Sequence, residues 1–180
     1  MPDVSVRPAV ADDAPALARI QAAVWAHVHR ADLPPEVLAS VGSPDAVAQW
    51  RSAAAEPPSG RHRVLTATDD GRVVGFAAVA PSSDADTVPS LDSELVALVV
   101  DPPAQGAGHG SRLVNAVADV SREDGVHHLH AWLADTEGDL RRFLEGAGWG
   151  PDGAARELDL VGDGQLLVGQ TRLRTALVDL

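Results

Sequence analysis

The sequence predicts a mixed α/β domain, because strand and helix patterns alternate along one 180-residue chain. Two observations support this prediction. Early in the chain, two β-prone runs flank Asp70-Gly71, a strong turn signal that predicts an antiparallel hairpin over residues 62–81. Later, the apolar run ELVALVV (94–100) is followed by a helical pattern and another β-prone run, which together indicate a β-α-β unit. We therefore expect a single domain over residues 1–180.

The predicted elements follow the order β-α-α-β-β-β-α-β-α-β-β. Residues 3–9 alternate like a strand, and residues 11–30 show a helical pattern in which Asp12 is a plausible N-cap. Residues 31–44 contain three prolines, so we expect a loop with one helical turn there, followed by a short helix. The apolar strand lacks a polar face and should be central, with both faces covered. After the apolar strand, we predict a helix at 111–123, a strand at 125–133 and a helix at 137–148. Two terminal strands are predicted at 155–161 and 166–176.

Composition excludes several function classes. The chain has 26 acidic and 14 basic residues and a net charge of −12, which argues against a nucleic-acid partner. It has no cysteine, hence no disulfide, thiolate metal site or cysteine nucleophile, and no lysine for a Schiff base or a P-loop. The first residues lack a signal-peptide pattern, and the longest apolar run is too short to span a membrane. We expect a cytoplasmic protein without a membrane partner.

A glycine-rich segment separates the apolar strand from the next helix. DPPAQGAGHGSRL (101–113) places Gly106, Gly108 and Gly110 within five residues. Glycines at a helix N-terminus let backbone N–H groups approach an anion, so this loop is suited to a pyrophosphate. A plain strand-to-helix turn is the alternative, and the loop alone does not decide between them. A P-loop would need lysine, and the GxGxG spacing fits a dinucleotide fingerprint poorly.

The loop QGAGHG (105–110) resembles the Q/R-x-x-G-x-G/A signature of the GNAT superfamily of N-acetyltransferases. The resemblance covers nearly the whole chain, and its parts follow in the family's order. The opening strand and helix correspond to residues 6–20, and the central hairpin, which contains Gly75, corresponds to residues 70–79. The strand-loop-helix core motif corresponds to residues 94–114, and the late helix with its turn corresponds to residues 141–153. The resemblance implies a GNAT-like acyl-CoA N-acyltransferase fold with a splayed central sheet.

The resemblance also implies acetyl-CoA as co-substrate and no metal. The pantetheine arm would add to the edge of the apolar strand, and the pyrophosphate would lie on the amides of the loop and the first turn of the helix. These positions correspond to Leu98, Val99, Val100, Gln105, Gly106, Ala107, Gly108, His109, Gly110 and Ser111. A backbone N–H near Val99 or Val100 would stabilise the thioester oxyanion.

The implied reaction is acetyl transfer from the thioester to a primary amine, by direct attack in a ternary complex. The acceptor would be a small molecule or a protein N-terminus, and a homodimer is left open. The amine must lose a proton before it attacks, and Glu94 is the candidate base, since many relatives carry such a carboxylate there. Partial desolvation would raise the proton affinity of Glu94. An ordinary strand-end glutamate facing water is the alternative.

Two positions depart from the family pattern. Leu144 stands where relatives often place a tyrosine that protonates the leaving thiolate, and the chain has no tyrosine. Glu137 stands where relatives often have an asparagine. The alternative function is therefore a catalytically weak or silent acyl-CoA-binding or sensor domain on the same fold. We also expect Leu144→Tyr to fold, on the assumption that this residue faces an open cleft.

Aromatic and histidine side chains are secondary candidates. His128 and His130 share a strand face but lack a third metal ligand, so we expect them to be structural. Trp25 and Trp50 could line an acceptor pocket, although helical aromatics more often belong to the core.

Overall fold

The computed structural model describes residues 3–177 and contains one mixed sheet of seven strands. The strands lie in the order β1-β2-β3-β4-β5-β7-β6. Their bounds are β1 Val4–Pro8, β2 Arg63–Asp69, β3 Arg72–Pro81, β4 Asp92–Val100, β5 His128–Ala134, β6 Gly150–Asp159 and β7 Leu167–Ala176. The mixed α/β prediction is confirmed.

Five α-helices flank this sheet. They are α1 Ala14–Val28, α2 Pro35–Ser40, α3 Pro44–Ala55, α4 His109–Glu123 and α5 Gly138–Gly146. Short 3-10 turns precede α1 and follow β4, at Ala11–Asp13 and Pro102–Ala104. Within the part of the chain that the structure describes, no helix is both long and apolar enough to cross a bilayer.

The predicted hairpin and β-α-β unit are both present. Asp70 and Gly71 form the turn between β2 and β3 with φ values of 47° and 77°, the left-handed geometry that suits the twist of a hairpin. β4 and β5 pair in parallel and are connected through α4, whereas the other neighbouring strands are antiparallel. α1 packs on one face of β4 and α4 on the other, so this strand is central and covered on both sides, as its apolar run predicts.

Apolar side chains form a layer on each face of the sheet. The layer beneath α4 contains Leu95, Leu113, Val117, Leu129 and Leu173, all nearly inaccessible to solvent. The layer beneath α1 is smaller and contains Leu17, Ile20, Phe76 and Val99. Full burial of side chains of this size contributes roughly 1.5–3 kcal/mol each, so these two layers hold the helices against the sheet.

The first helix begins later than predicted. Its N-cap is Asp13 and not Asp12, because residues 11–13 form a 3-10 turn before α1 starts. The Asp13 carboxylate accepts hydrogen bonds from both terminal nitrogens of Arg7, at 2.7 and 2.9 Å, and from the Val10 amide at 2.9 Å. The hydrogen bond from Arg7 holds the pKa of Asp13 below its usual value. This ion pair ties the turn to β1.

Two further boundaries differ from the sequence prediction. The helical turn expected within residues 31–44 is α2, a separate six-residue helix, so three helices lie between β1 and β2 instead of two. β6 starts at Gly150 and not at residue 155, because Gly150 and Pro151 already pair with β7. A register shift between Pro151 and Ala155, which includes Gly153 at φ 89°, interrupts the alternation that would have revealed this start.

Candidate active site

β4 and β5 separate after a short parallel contact. They pair at three positions, of which Glu94 with His130 is the last. Beyond that pair, β4 as far as Val100 pairs with β3 alone, at every residue except Val96, and β5 as far as Ala134 pairs with β7 alone. Buried backbone N–H and C=O groups are nearly always paired in proteins, so two diverging central strands present an edge to which an extended ligand can add.

A β-bulge in β4 lies beside the point of separation. Ala78 pairs with Ala97 and Val79 with Leu95, which leaves Val96 without a partner on β3. A bulge bends its strand and increases the local twist. It also shifts the side-chain alternation, because Leu95 packs in the layer beneath α4 whereas Ala97 packs in the layer beneath α1. The bulge therefore helps β4 turn away from β5.

The gap between the strands opens into a cavity of about 1240 Å³. This volume exceeds the range typical of drug-sized pockets, roughly 300–1,000 Å³, and suits a larger ligand. α1, β4, β5, the glycine-rich loop, α5 and the β6–β7 hairpin all contribute to the wall. Every residue predicted for the site lines this cavity except Ala107. The structure thus brings together Glu94, the edge of β4 and the loop.

The glycine-rich loop forms the N-terminus of α4. Gly106 and Gly108 have φ values of 80° and 85°, a region that side-chain-bearing residues rarely adopt, and Gly108 is the N-cap. A Cβ atom at Gly108 would lie 3.2 Å from Nη1 of Arg112. The first amides of a helix have no partner within the helix and carry the positive end of its dipole. This loop can therefore bind a phosphate group through its backbone.

The side chains of the loop are largely engaged elsewhere. Nε2 of Gln105 donates to the Val100 carbonyl at 3.1 Å, and Nη1 of Arg112 donates to the Ala107 carbonyl at 3.1 Å. The His109 ring is buried, with Nε2 3.6 Å from a carboxylate oxygen of Asp69. Ser111 is exposed on the first turn of α4. The loop thus offers mainly backbone groups to a ligand.

Glu94 lies at the closed end of the gap. Its side chain is 18% exposed, and Oε1 is 4.0 Å from Nη2 of Arg156. Burial raises the pKa of the Glu94 carboxyl, Arg156 lowers this pKa and Asp84 adds to the rise. A carboxylate whose charged form is disfavoured in this way takes up a proton more readily than an exposed one, so Glu94 has the character of a general base.

A polar cluster beside Glu94 was not predicted from the sequence. Nε of Arg156 donates to Oε1 of Gln170 at 2.8 Å, and the guanidinium carbon lies 4.3 Å from the ring centroid of Trp132. Nε1 of Trp132 donates to Oδ2 of Asp84 at 2.9 Å. The one signal available in the sequence is the period-2 spacing of Trp132 with His130, which places the two on one face of β5.

A family model described as "Acetyltransferase (GNAT) family" matches residues 25–149, from the last turn of α1 to just beyond α5. The chain belongs to this acetyltransferase family. The resemblance seen in the sequence is therefore confirmed. Among proteins with curated descriptions, none matches the sequence.

Solved structures similar to this acetyltransferase share its fold over nearly the whole chain. The structure of yncA from Salmonella typhimurium with its cofactor acetyl-CoA is 22% identical and has a TM-score of 0.71, covering 99% of this chain and 96% of its own. The PaiA N-acetyltransferase from Thermoplasma acidophilum in complex with coenzyme A is 14% identical, with a TM-score of 0.76 and coverages of 97% and 99%. A ribosomal-protein-alanine N-acetyltransferase from Brucella melitensis is 22% identical, with a TM-score of 0.69 and coverages of 96% and 99%.

The late helix of the acetyltransferase differs from expectation at Leu144. This side chain is fully buried in the apolar layer beneath α4, and although it forms part of the cavity wall it is packed there and does not project into open space. Its neighbour Phe143 is half-buried and lies close to the glycine loop, since a Cβ atom at Gly110 would be 3.4 Å from the tip of its ring. A tyrosine at Leu144 would therefore have to displace core side chains.

Glu137 closes the turn between β5 and α5. Its carboxylate accepts a hydrogen bond from the Ala134 amide at 2.7 Å. Burial raises the pKa of Glu137, while the hydrogen bond from Ala134 lowers it. The acid that replaces the family's asparagine is thus engaged with the backbone of this turn.

The strand histidines contact carboxylates. Nε2 of the buried His130 lies 3.6 Å from Oδ2 of Asp84, and Nδ1 of His128 lies 3.2 Å from Oδ1 of Asp92. Burial lowers the pKa of His130, which Asp84 partly offsets, so this ring favours the neutral form. Within residues 3–177, no group of three or more His, Cys, Asp and Glu side chains is arranged to hold a metal.

The two helical tryptophans occupy different environments. Trp25 lines the cavity with its ring edge-on to His29, at a centroid distance of 5.0 Å. Trp50 packs edge-on against Phe76 in the layer beneath α1, and its Nε1 donates to Oε1 of Gln21 at 2.9 Å. Only Trp25 is therefore placed to touch a ligand in the cavity.

Proposed function

We propose that this protein is an acetyl-CoA-dependent N-acetyltransferase that transfers the acetyl group directly to a primary amine in a ternary complex. The acceptor is a small molecule or a protein N-terminus. One observation carries the proposal: the gap between β4 and β5 begins directly after Glu94 and leads to the glycine loop. A group with the character of a base thus lies at the closed end of a long site whose other end suits a phosphate. The yncA and PaiA structures, which contain acetyl-CoA and coenzyme A, support the choice of co-substrate.

The residues that would hold the co-substrate lie on one continuous path. The backbone amides from Gln105 to Gly110, with Ser111, would bind the pyrophosphate, and Leu98, Val99 and Val100 would contact the pantetheine arm through their backbone. The Val100 carbonyl already accepts a hydrogen bond from Gln105, which leaves it one lone pair. When bound, acetyl-CoA would supply an electrophilic thioester carbonyl.

Glu94 then acts on the acceptor. It removes a proton from the attacking ammonium group, which frees the nitrogen lone pair to form the N–C bond as the C–S bond breaks. A backbone N–H of β4, near Val99 or Val100, stabilises the charge that develops on the carbonyl oxygen. The chain has no tyrosine, and Leu144 is buried, so solvent protonates the departing thiolate. A thiol pKa of about 8.5 makes that departure feasible without a general acid.

The test is turnover. The protein is incubated with acetyl-CoA and a panel of primary amines and N-terminal peptides, and both free CoA and the acetylated product are measured. We expect stoichiometric formation of the two products with at least one amine class. Binding of acetyl-CoA without product across the whole panel would contradict the proposal and favour a silent acyl-CoA-binding domain.

A further inference from the structure

Within residues 3–177, helices cover the sheet face beneath α1 unevenly. α1 and α3 pack over β2, β3 and β4. On β5 and β7, Leu129, Ala131, Leu133 and Leu173 face the layer beneath α4. The intervening residues therefore point to the opposite face, because strand side chains alternate. These residues are His130, Trp132 and Arg172, all polar or amphipathic, and the cavity extends over this face as far as Arg156 and Gln170.

The guanidinium group of Arg172 is engaged in hydrogen bonds within the protein. Its side chain is 5% exposed and donates to Asp84 at 3.0 Å, to Asp86 at 2.6 Å and to Asp152 at 2.7 Å. These three aspartates lie on the β3–β4 loop and in β6, so the guanidinium ties both segments to β7. All three of its nitrogens donate to these carboxylates, and it has little capacity left for a ligand.

Arg156 is held in place yet keeps its terminal nitrogens available. Nε donates to Gln170, and the group stacks on Trp132, so its position is fixed from two sides. Nη1 lies 3.8 Å from Asp84, and Nη2 lies 4.0 Å from Glu94. Both distances exceed those of a hydrogen bond. The side chain is 35% exposed and lines the cavity beside the candidate base. A guanidinium of this kind matches the two oxygens of a carboxylate.

We propose that the acceptor is a free amino acid whose carboxylate is bound by Arg156 while its amine lies at Glu94. This inference rests on the proposed function, since it assumes that Glu94 marks the position of the amine. The 4.0 Å between Nη2 of Arg156 and Oε1 of Glu94 is short. One ligand can reach both groups with hydrogen bonds of about 2.7–2.9 Å only if its own charged groups are close together. An α- or β-amino acid satisfies this, and its two charges complement those of the site.

The experiment compares matched acceptors. Each amino acid of a panel is paired with the amine that lacks only its carboxylate, and both are assayed with wild-type protein and with Arg156→Gln. We expect the wild type to prefer the amino acid. In Arg156→Gln, the KM of the amino acid should rise by about 10- to 100-fold, the range for loss of hydrogen bonds to a charged group. Its kcat should change much less, and at a pH above the acidic fall in activity the KM of the amine without a carboxylate should show no comparable rise.

Arg174→Gln is the matched control. Arg174 lies on the same face of β7 and is also an arginine, but its Nη2 donates to Asp92 at 3.1 Å, away from the cavity lining. Its loss should leave the preference between the paired acceptors unchanged. Equal effects of Arg174→Gln and Arg156→Gln would indicate a general effect of charge and overturn the assignment.

A binding measurement separates the two proposals. Calorimetry on the CoA-saturated protein reports amino-acid affinity whether or not turnover occurs. Arg156-dependent binding without any acetylation would refute the proposed function and leave the carboxylate site in place. Acetylation of the amino acid and its paired amine with equal efficiency in the wild type, and without any loss for the amino acid in Arg156→Gln, would refute the carboxylate site and leave the proposed function in place.

Discussion

Glu94 and His130 are the last residues paired between β4 and β5, and the cavity opens at the residues that follow them. This pair therefore marks both the end of the pairing between β4 and β5 and the start of the cavity. His130 is buried and favours its neutral form, so it does not compete with Arg156 as the cation beside Glu94. The position of Glu94 is set by the sheet itself, which is more rigid than a loop.

Glu94→Gln should lower kcat at neutral pH by about 10²- to 10⁴-fold, the usual contribution of a general base. Affinity for acetyl-CoA should change little, because the base acts on the amine. The loss should shrink as pH rises, since the amine then deprotonates without help. Steady-state rates between neutral and alkaline pH check this. Wild-type rates over that range would place the base elsewhere.

The pH at which kcat/KM falls on the acidic side of its profile, the acidic limb, should depend on Arg156. Burial and Asp84 raise the pKa of Glu94, and Arg156 lowers it. The wild-type limb should therefore lie above the pKa of an exposed glutamate, and Glu94 loses its function as pH falls through that value. Removal of the positive charge in Arg156→Gln should raise the pKa of Glu94 further and move the limb to higher pH. The profile of kcat/KM for an amine without a carboxylate measures the shift, and a limb that moves to lower pH would contradict it.

Gly108→Val should abolish stabilisation by acetyl-CoA. The valine would have to adopt φ 85° and would crowd Arg112, so the loop would lose the conformation that presents its amides. Ligand at 100 times its Kd stabilises a native protein by about 2.7 kcal/mol, which thermal unfolding detects readily. Gly125→Val is the control, because Gly125 has φ 75° at the other end of α4 and no neighbouring atom within 4 Å of an added Cβ. If acetyl-CoA raises the unfolding temperature of Gly108→Val as much as that of the wild type, the loop is not part of the acetyl-CoA site.

Leu144→Tyr should destabilise the fold, contrary to the expectation from sequence. Leu144 is fully buried, and a larger side chain in a packed core costs about 1–3 kcal/mol. The tyrosine hydroxyl would also need a partner within an apolar layer. Chemical denaturation of the variant checks this, with Leu144→Met as a control of similar volume. A variant as stable as the wild type would mean that this part of the core has room for the ring.

Arg172→Met should reduce stability by about 3–5 kcal/mol, because it leaves Asp152 partly buried without its cation and removes from Asp84 the nearer of its two arginines. Arg142→Met is the matched control. Arg142 forms an exposed pair with Asp139 on α5, and such pairs contribute little. The free energies of unfolding of the two variants, measured with denaturant, should differ clearly. Similar stabilities would show that the three aspartates find other partners.

Several features of the fold could be predicted because their causes are local. The Asp70-Gly71 turn needs residues that tolerate positive φ, and the apolar run of β4 needs cover on both faces. The helical periodicity after the glycine loop predicts the buried face of α4, on which Leu113 and Val117 lie. The start of β6 could not be predicted in this way, because a bulge interrupts its alternation.

The sequence by itself determined the order of strands and helices apart from the separate helix α2, the glycine loop at a helix N-terminus and the membership of the GNAT family. Each depends on neighbouring residues or on motifs that keep a fixed order along the chain. Only the tertiary structure decided which side chains surround Glu94, since Asp84, Trp132, Arg156 and Gln170 come from a loop and three strands. It also decided that Leu144 is buried and that Gln105 binds Val100. The physical reason is that these contacts depend on strand register and sheet order, which bring distant residues together and leave no local pattern in the chain.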